Sequence, residues 1–425
     1  MRGVRLLHPE NLSGRRPLVV YLHRYPPEDE RLQFSGMPLL LRRMLEHYDV
    51  LYVGMQGVLP VDPELRKGLA ILELPGRVDR RSGFDKLAKL GWYYLQMPWI
   101  RRRITALKPS VIMCREPLPL IPAWMCGTGV PAMIASVSDH WWAILLGWNS
   151  PGRWLARRLE QREIARWNRW NALVVPNTEA ERQVMERHGV RPENLRLINT
   201  TSPEGMFFPC EASGIRRELG FGPERIVVAT HGTIRPGKGY DQLLDWWKAL
   251  SSEHPDWRLL VIGGAGGEAW MRRKIRRLGL KESVRMTGWL PTQEAVNLHL
   301  NAADILLAIR RKSDDNEGIV PSVLYHNLAV GKPTVATGLP GMAEIVRDRV
   351  DGFLFEPDSY ASFKNTLEYV AGHPAEAAQA SESGKRRVAE CFDPEACARA
   401  HLAVLGELCA RGSGPPGRSV TGEGS

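Results

Sequence analysis

The sequence predicts an α/β protein made of two doubly wound domains, each a parallel sheet covered by helices. Three observations carry this reading: strand-length apolar runs alternate with helical stretches, the alternation restarts near residue 222, and 425 residues exceed what one ordinary core accommodates. With 44% apolar and 8% aromatic residues, both units can bury a core.

In the first domain, residues 1–208, Pro17–Leu22 reads as the opening strand. A polar, proline-containing loop follows, and Ser35-Gly36 leads into a helix from Met37 to about His47. Asp49–Val53, Leu69–Leu74, Lys108–Cys114, Pro131–Ser136 and Ala172–Val175 are the later strands. Residues 209–222, with Pro209, Gly214 and Pro223 close by, read as a hinge. The second domain, 223–394, restarts at Arg225–Thr230. It continues with strands at Trp257–Ile262, Val284–Thr287, Asp304–Ala308, Pro333–Ala336 and Gly352–Phe355. Its helices Tyr240–Leu250 and Gln293–Asn301 carry the 3.6-residue apolar period. A last amphipathic helix is expected over 395–410, and the Gly/Ser/Pro-rich 411–425 is expected to be a disordered tail.

Composition narrows the function. No window holds 18 uninterrupted apolar residues, so no spanning helix is expected, and Met1–Gly14 lacks the apolar centre of a secretory signal. Six scattered cysteines without a CxxC pair offer neither a zinc site nor a disulfide framework and suit a reducing, cytoplasmic address. The net charge of +10 calls for anionic partners. No helix-turn-helix, RNA-binding sheet signature or zinc module is visible, so nucleic acid is not the expected one. Nine of the 14 tryptophans lie between Trp92 and Trp170, interleaved with Arg101–Arg103, Arg157, Arg158, Arg162, Arg166 and Arg169. That mixture suits a helix at the headgroup layer on the inner face of the cell membrane. The plainer alternative is tryptophan core with solvated charge.

The chemistry concentrates in His231-Gly-Thr-Ile-Arg-Pro-Gly-Lys-Gly239, between a strand and a helix. A glycine-rich turn lets the backbone approach an anion, and the following helix offers free amides and a positive dipole end. Arg235 and Lys238 add two cations suited to a diphosphate. Read alone, the segment is equally an ordinary strand-to-helix turn with surface cations. A second glycine-rich turn ends Leu259–Gly267, and it either meets the ligand or only shapes the chain. Val284–Leu290, Asn316-Glu317-Gly318, Leu328–Ala336, Gly338–Val346 and Asp351–Pro357 follow in order. Asp314-Asp315 lies in a polar loop and reads as a solvated turn, not as a metal site.

Taken together, Val227–Pro357 resembles the donor-binding domain of family 4 glycosyltransferases, whose GT-B fold sets two Rossmann-like domains face to face across a deep cleft. The first domain resembles the family more weakly, at Ser35-Gly36, Ser138-Asp139-His140, Val174–Thr178 and Leu197–Asn199. The resemblance implies a retaining transferase, free of metal or other cofactor, that moves a sugar from a UDP- or GDP-sugar to a lipid-linked or saccharide acceptor. It implies roles as well. Arg235 and Lys238 would neutralise the leaving diphosphate, the contribution expected to be largest. Glu317, with the amides of Gly318 and Ile319, would meet the transferred sugar. Gly232, Thr233 and Gly264 would shape the donor site, and Gly288 and Leu290 would lie by the base. Ser35 and Gly36 would face the phosphates from the first domain. Asp139 and His140 would stand on the acceptor side, with His140 counted among the catalytic residues.

Two departures from the family pattern stand out. Thr233 occupies the position of a usual arginine, and Arg235 is taken to substitute. The second carboxylate of the paired-glutamate motif, which usually holds the nucleotide ribose, is missing. Counting eight on from Glu317 reaches Tyr325, and counting back from Gly331 reaches His326. Tyr325 is taken as the donor-site residue. Two other functions stay open. A sugar-nucleotide epimerase of the same fold would need no Trp/Arg-rich acceptor surface. A non-catalytic nucleotide-sugar scaffold would explain Thr233 and the lost carboxylate.

Overall fold

A computed structural model describes residues 5–23, 37–55, 62–74, 83–115, 121–135, 150–201, 205–234, 238–264, 266–313 and 316–412. Two Rossmann-like sheets organise them, as the apolar pattern requires.

The first sheet comprises β1 (Arg5–Leu7), β2 (Leu18–Leu22), β3 (Asp49–Met55), β4 (Ala70–Leu74), β5 (Val111–Arg115), β6 (Ala132–Ala135) and β7 (Leu173–Val175). Their order is β1-β4-β3-β2-β5-β6-β7. All neighbours pair in parallel except β1 with β4, an antiparallel edge that three residues are too short to announce in sequence. Along β2, Val19 and Tyr21 enter one core layer while Val20 and Leu22 enter another, so this strand is buried on both faces.

The second sheet comprises β8 (Ile226–Thr233), β9 (Trp257–Gly264), β10 (Val284–Gly288), β11 (Ile305–Ala308), β12 (Thr334–Thr337) and β13 (Phe353–Phe355). Its order is β10-β9-β8-β11-β12-β13, with every neighbour parallel. The chain leaves β8 toward β10 and then returns to β11, so strand order reverses between β8 and β11. A crevice opens at the carboxyl ends of strands at such a point. The helix Tyr240–Glu253 seals this sheet with Tyr240, Leu243, Leu244, Trp247 and Leu250, spaced at i, i+3, i+4, i+7 and i+10.

Within 209–222 lies a short helix, Ser213–Glu218. Arg216 ties it to the second sheet, donating to the Asp304 carboxylate at 2.9 Å and to the Arg225 carbonyl at 2.6 Å. The final helix, Pro394–Gly412, runs two residues past the expected 410 and returns to the first domain. There Leu405 and Leu408 join the core of Leu40, Leu41 and Met44. Arg43 donates to Glu395 at 2.5 Å and Arg196 to Glu407 at 3.0 Å. No helix among the described residues is long and apolar enough to cross a membrane.

Candidate functional site

The crevice at the end of β8 is built by glycines. Gly232 (φ 113°) pairs with Gly263 (φ 129°) across β8 and β9. A Cβ on Gly263 would collide with the Gly232 backbone, and one on Gly267 with the Ile234 carbonyl. Gly239 (φ 90°) then starts the helix Tyr240–Glu253, whose Tyr240 hydroxyl donates to the His231 carbonyl at 3.2 Å.

Two adjoining chambers open there. The smaller, about 220 Å³, is bordered by Thr233, Lys238, Arg310, Ser322 and His326. The larger, about 320 Å³, is bordered by Met206, Leu290, Pro291 and Gln293. His231, Gly232 and Trp289 border both. One chamber is therefore polar and cationic, suited to an anion, while its neighbour is mainly apolar, suited to a flat ring.

Between them sits a buried histidine pair. His231 Nε2 and His326 Nδ1 lie 3.1 Å apart, and Phe207 stacks on His326 with ring centroids 4.1 Å apart. Burial lowers the His231 pKa to about 3. Burial, and then the neighbouring His231, hold His326 well below the ordinary histidine range. Both rings are neutral, so one donates the shared proton to the other.

A second cluster forms where the two domains touch. Arg187, at the end of the first-domain helix Glu179–Arg187, donates to Glu317 at 2.5 Å. The Thr178 hydroxyl donates to the Gly318 carbonyl at 3.0 Å. Glu344 of the second domain accepts from the amides of Glu179 (2.8 Å) and Ala180 (2.6 Å), the free first amides of that helix. Gly318 lies so close to the Glu181 backbone that no Cβ fits.

The sequence-derived residues divide on this geometry. Gly232 and Leu290 border the larger chamber, and Gly232, Thr233 and Lys238 the smaller. Gly288 (φ 75°) turns the chain so that Trp289 and Leu290 reach the chambers. Gly264 stands behind them, its carbonyl accepting from Ile234 at 2.8 Å. Glu317 and Gly318 belong to the interdomain cluster, and the half-buried Ile319 follows them, its amide donating to the Asn316 carbonyl at 3.3 Å. Ser35, Gly36, Asp139, His140 and Arg235 lie outside the described residues.

Tyr325 is a correction. Its ring is fully buried in a hydrophobic cluster, edge-on to Phe392 at 5.2 Å, and borders neither chamber. On the helix Ser322–Val330, residues 322, 323 and 326 share the chamber face, and 325 points elsewhere. His326 is the residue the helix presents, as the count back from Gly331 allows. Arg310, Trp289, Gln293 and Arg187 went unnoticed. Trp289 and Gln293 lie inside segments given above; Arg310 and Arg187 carry no local signal.

Residues 213–387 match the family model described as glycosyl transferases group 1. Over that stretch, nearly the whole second domain, the chain is similar to that family. The D-inositol 3-phosphate glycosyltransferase of Segniliparus rotundus is 31% identical over 256 residues, 59% of this chain and 55% of that protein. The chain thus spans about half the length of the curated relatives it matches. Among solved structures, Anabaena HepE in complex with UDP and glucose aligns with a TM-score of 0.70 at 16% identity, covering 92% of this chain and all 100% of that one. The sucrose-phosphate synthase of Thermosynechococcus elongatus aligns at 0.71 and 17%, covering 93% and 100%. These likenesses extend the GT-B fold beyond the group 1 domain to nearly the whole chain.

Proposed function

We propose that the chain is a retaining glycosyltransferase that moves a sugar from a UDP- or GDP-sugar to a lipid-linked or saccharide acceptor at the inner face of a membrane. The observation that carries this is the pair of adjoining chambers at the strand-order reversal, one cationic through Lys238 and Arg310 and one apolar beside Trp289. A nucleoside diphosphate has that same division. The UDP held by HepE, a protein of the same fold, supports the reading. Breaking the sugar–phosphate bond leaves the electron pair on the diphosphate. Lys238 and Arg310, with Arg235 three residues before Lys238 in sequence, would stabilise that charge, which is also why no metal is called for. Glu317, held by Arg187, would meet the sugar hydroxyls.

Titration with UDP and GDP tests the reading. Lys238→Ala and Arg310→Ala are each expected to weaken the preferred nucleotide about 10- to 100-fold, the loss of one charge-assisted contact. Unchanged affinity in both variants would remove the donor site from this crevice. Product analysis then separates the alternatives: an epimerase returns an isomeric donor, and a scaffold binds the nucleotide sugar without consuming it.

A further inference from the structure

We propose that the larger chamber takes a uracil base and that Gln293 is the residue that selects it. This rests on the nucleotide reading above and adds the base to it. Gln293 opens the helix Gln293–Asn301 and borders the chamber, yet the residue is only 8% exposed. Its Oε1 is enclosed and meets no hydrogen-bond partner among the described residues. A buried amide oxygen left this way is costly, and a donor brought by a ligand removes the cost. The neighbouring Thr292 is turned to its own helix, its hydroxyl accepting from the Ala295 amide at 3.2 Å.

The rest of the wall decides which base fits. Met206, Ile262, Leu290, Pro291 and Val296 present apolar side chains. A base with more N–H groups than the one meeting Gln293 would strand them there. Uracil carries a single ring N–H on its pairing edge, flanked by two carbonyls. That N–H donates to Gln293 Oε1, and Gln293 Nε2 donates to one flanking carbonyl. The amide-rich start of the helix favours the same carbonyl-rich edge. Adenine and cytosine bring an amine with two protons beside a bare ring nitrogen. Guanine has the ring N–H but adds an amine, whose nearest acidic acceptor in the lining is Glu294, exposed at the rim.

The test is calorimetric titration of the full chain with UDP, CDP, GDP, ADP, 3-methyl-UDP and inorganic pyrophosphate. UDP is expected to bind tightest among the nucleotides. Gln293→Ala is expected to lose about 10- to 100-fold for UDP, with pyrophosphate affinity unchanged. Wild type should bind 3-methyl-UDP as weakly as the variant binds UDP, a comparison that needs no altered protein. Undiminished binding of 3-methyl-UDP by wild type, or of UDP by Gln293→Ala, overturns the assignment while leaving the nucleotide site standing. So does tightest binding of ADP or CDP, or a GDP preference abolished by Glu294→Ala. If wild type binds neither pyrophosphate nor any nucleotide, the underlying site reading fails along with it.

Discussion

His231 and His326 show what burial does to a titratable pair. Native rings held neutral have pKa values below the ordinary 6.5, so the unfolded chain takes up protons that the folded chain refuses. The stability they contribute is whole above about pH 6.5. It is lost as pH falls toward the folded values, at up to about 1.4 kcal/mol per pH unit for each ring. Wild-type melting temperature should therefore be flat from pH 8 to 7 and fall below pH 6. His326→Asn, which keeps a polar group of similar reach, should flatten that fall. Equal slopes in the two proteins between pH 6.5 and 5, above most carboxylate titration, would sink the idea. The sequence showed both histidines but not that they touch, since 95 residues separate them.

At the scale of elements, the helix Glu179–Arg187 is completed from outside. Its first turn is closed by Glu344 and its last residue holds Glu317, both from the second domain. A carboxylate at a helix start stabilises by about 0.3–2 kcal/mol, so the joint is firm without being rigid. Gly318→Ala is the sharper probe, because its Cβ would meet main chain, which cannot rotate away. It should open the domain contact, seen as a larger radius of gyration by small-angle scattering, and cut transfer more than nucleotide affinity. A wild-type radius with wild-type transfer would show that the contact yields. This joint was only half legible. Asn316-Glu317-Gly318 stood out by its residues, whereas Arg187 and Glu344 look like any charge on an exposed helix.

For the whole molecule, the described tryptophans of the first domain include both buried and exposed ones. Trp167 is core, and Trp170 is half-buried, donating to the Val130 carbonyl at 2.8 Å. Trp154 is 62% exposed, with Arg158 over its ring at 5.2 Å, and Leu95 is 75% exposed. Along Ser150–Trp170, Arg157, Arg158, Arg162, Arg166 and Arg169 are exposed, while the acidic Glu163 is buried and Glu160 half-buried. A surface so biased should settle on anionic lipid. Each arginine near such a surface is worth about 1 kcal/mol, so Arg158→Ala with Arg162→Ala should lower partitioning onto anionic vesicles about 10-fold or more. Trp154→Ala should lower it further. Equal sedimentation with anionic and neutral vesicles would return these residues to solvated charge.

By itself the sequence determined the two α/β units, the parallel strands to within a few residues, and the glycine-rich turns. All of these are written in near neighbours, as period, turn chemistry and backbone freedom. Composition likewise raised the expectation of an anionic partner. Tertiary structure alone decided the order of strands, and with it the reversal between β8 and β11 that places the crevice. It decided that His326, not Tyr325, faces the chambers, because helical phase is set by what the helix packs against. It also enclosed the Gln293 oxygen and brought Arg187 to Glu317 across 130 residues. Such contacts join residues distant in the chain, and nothing in either partner's local sequence specifies the other.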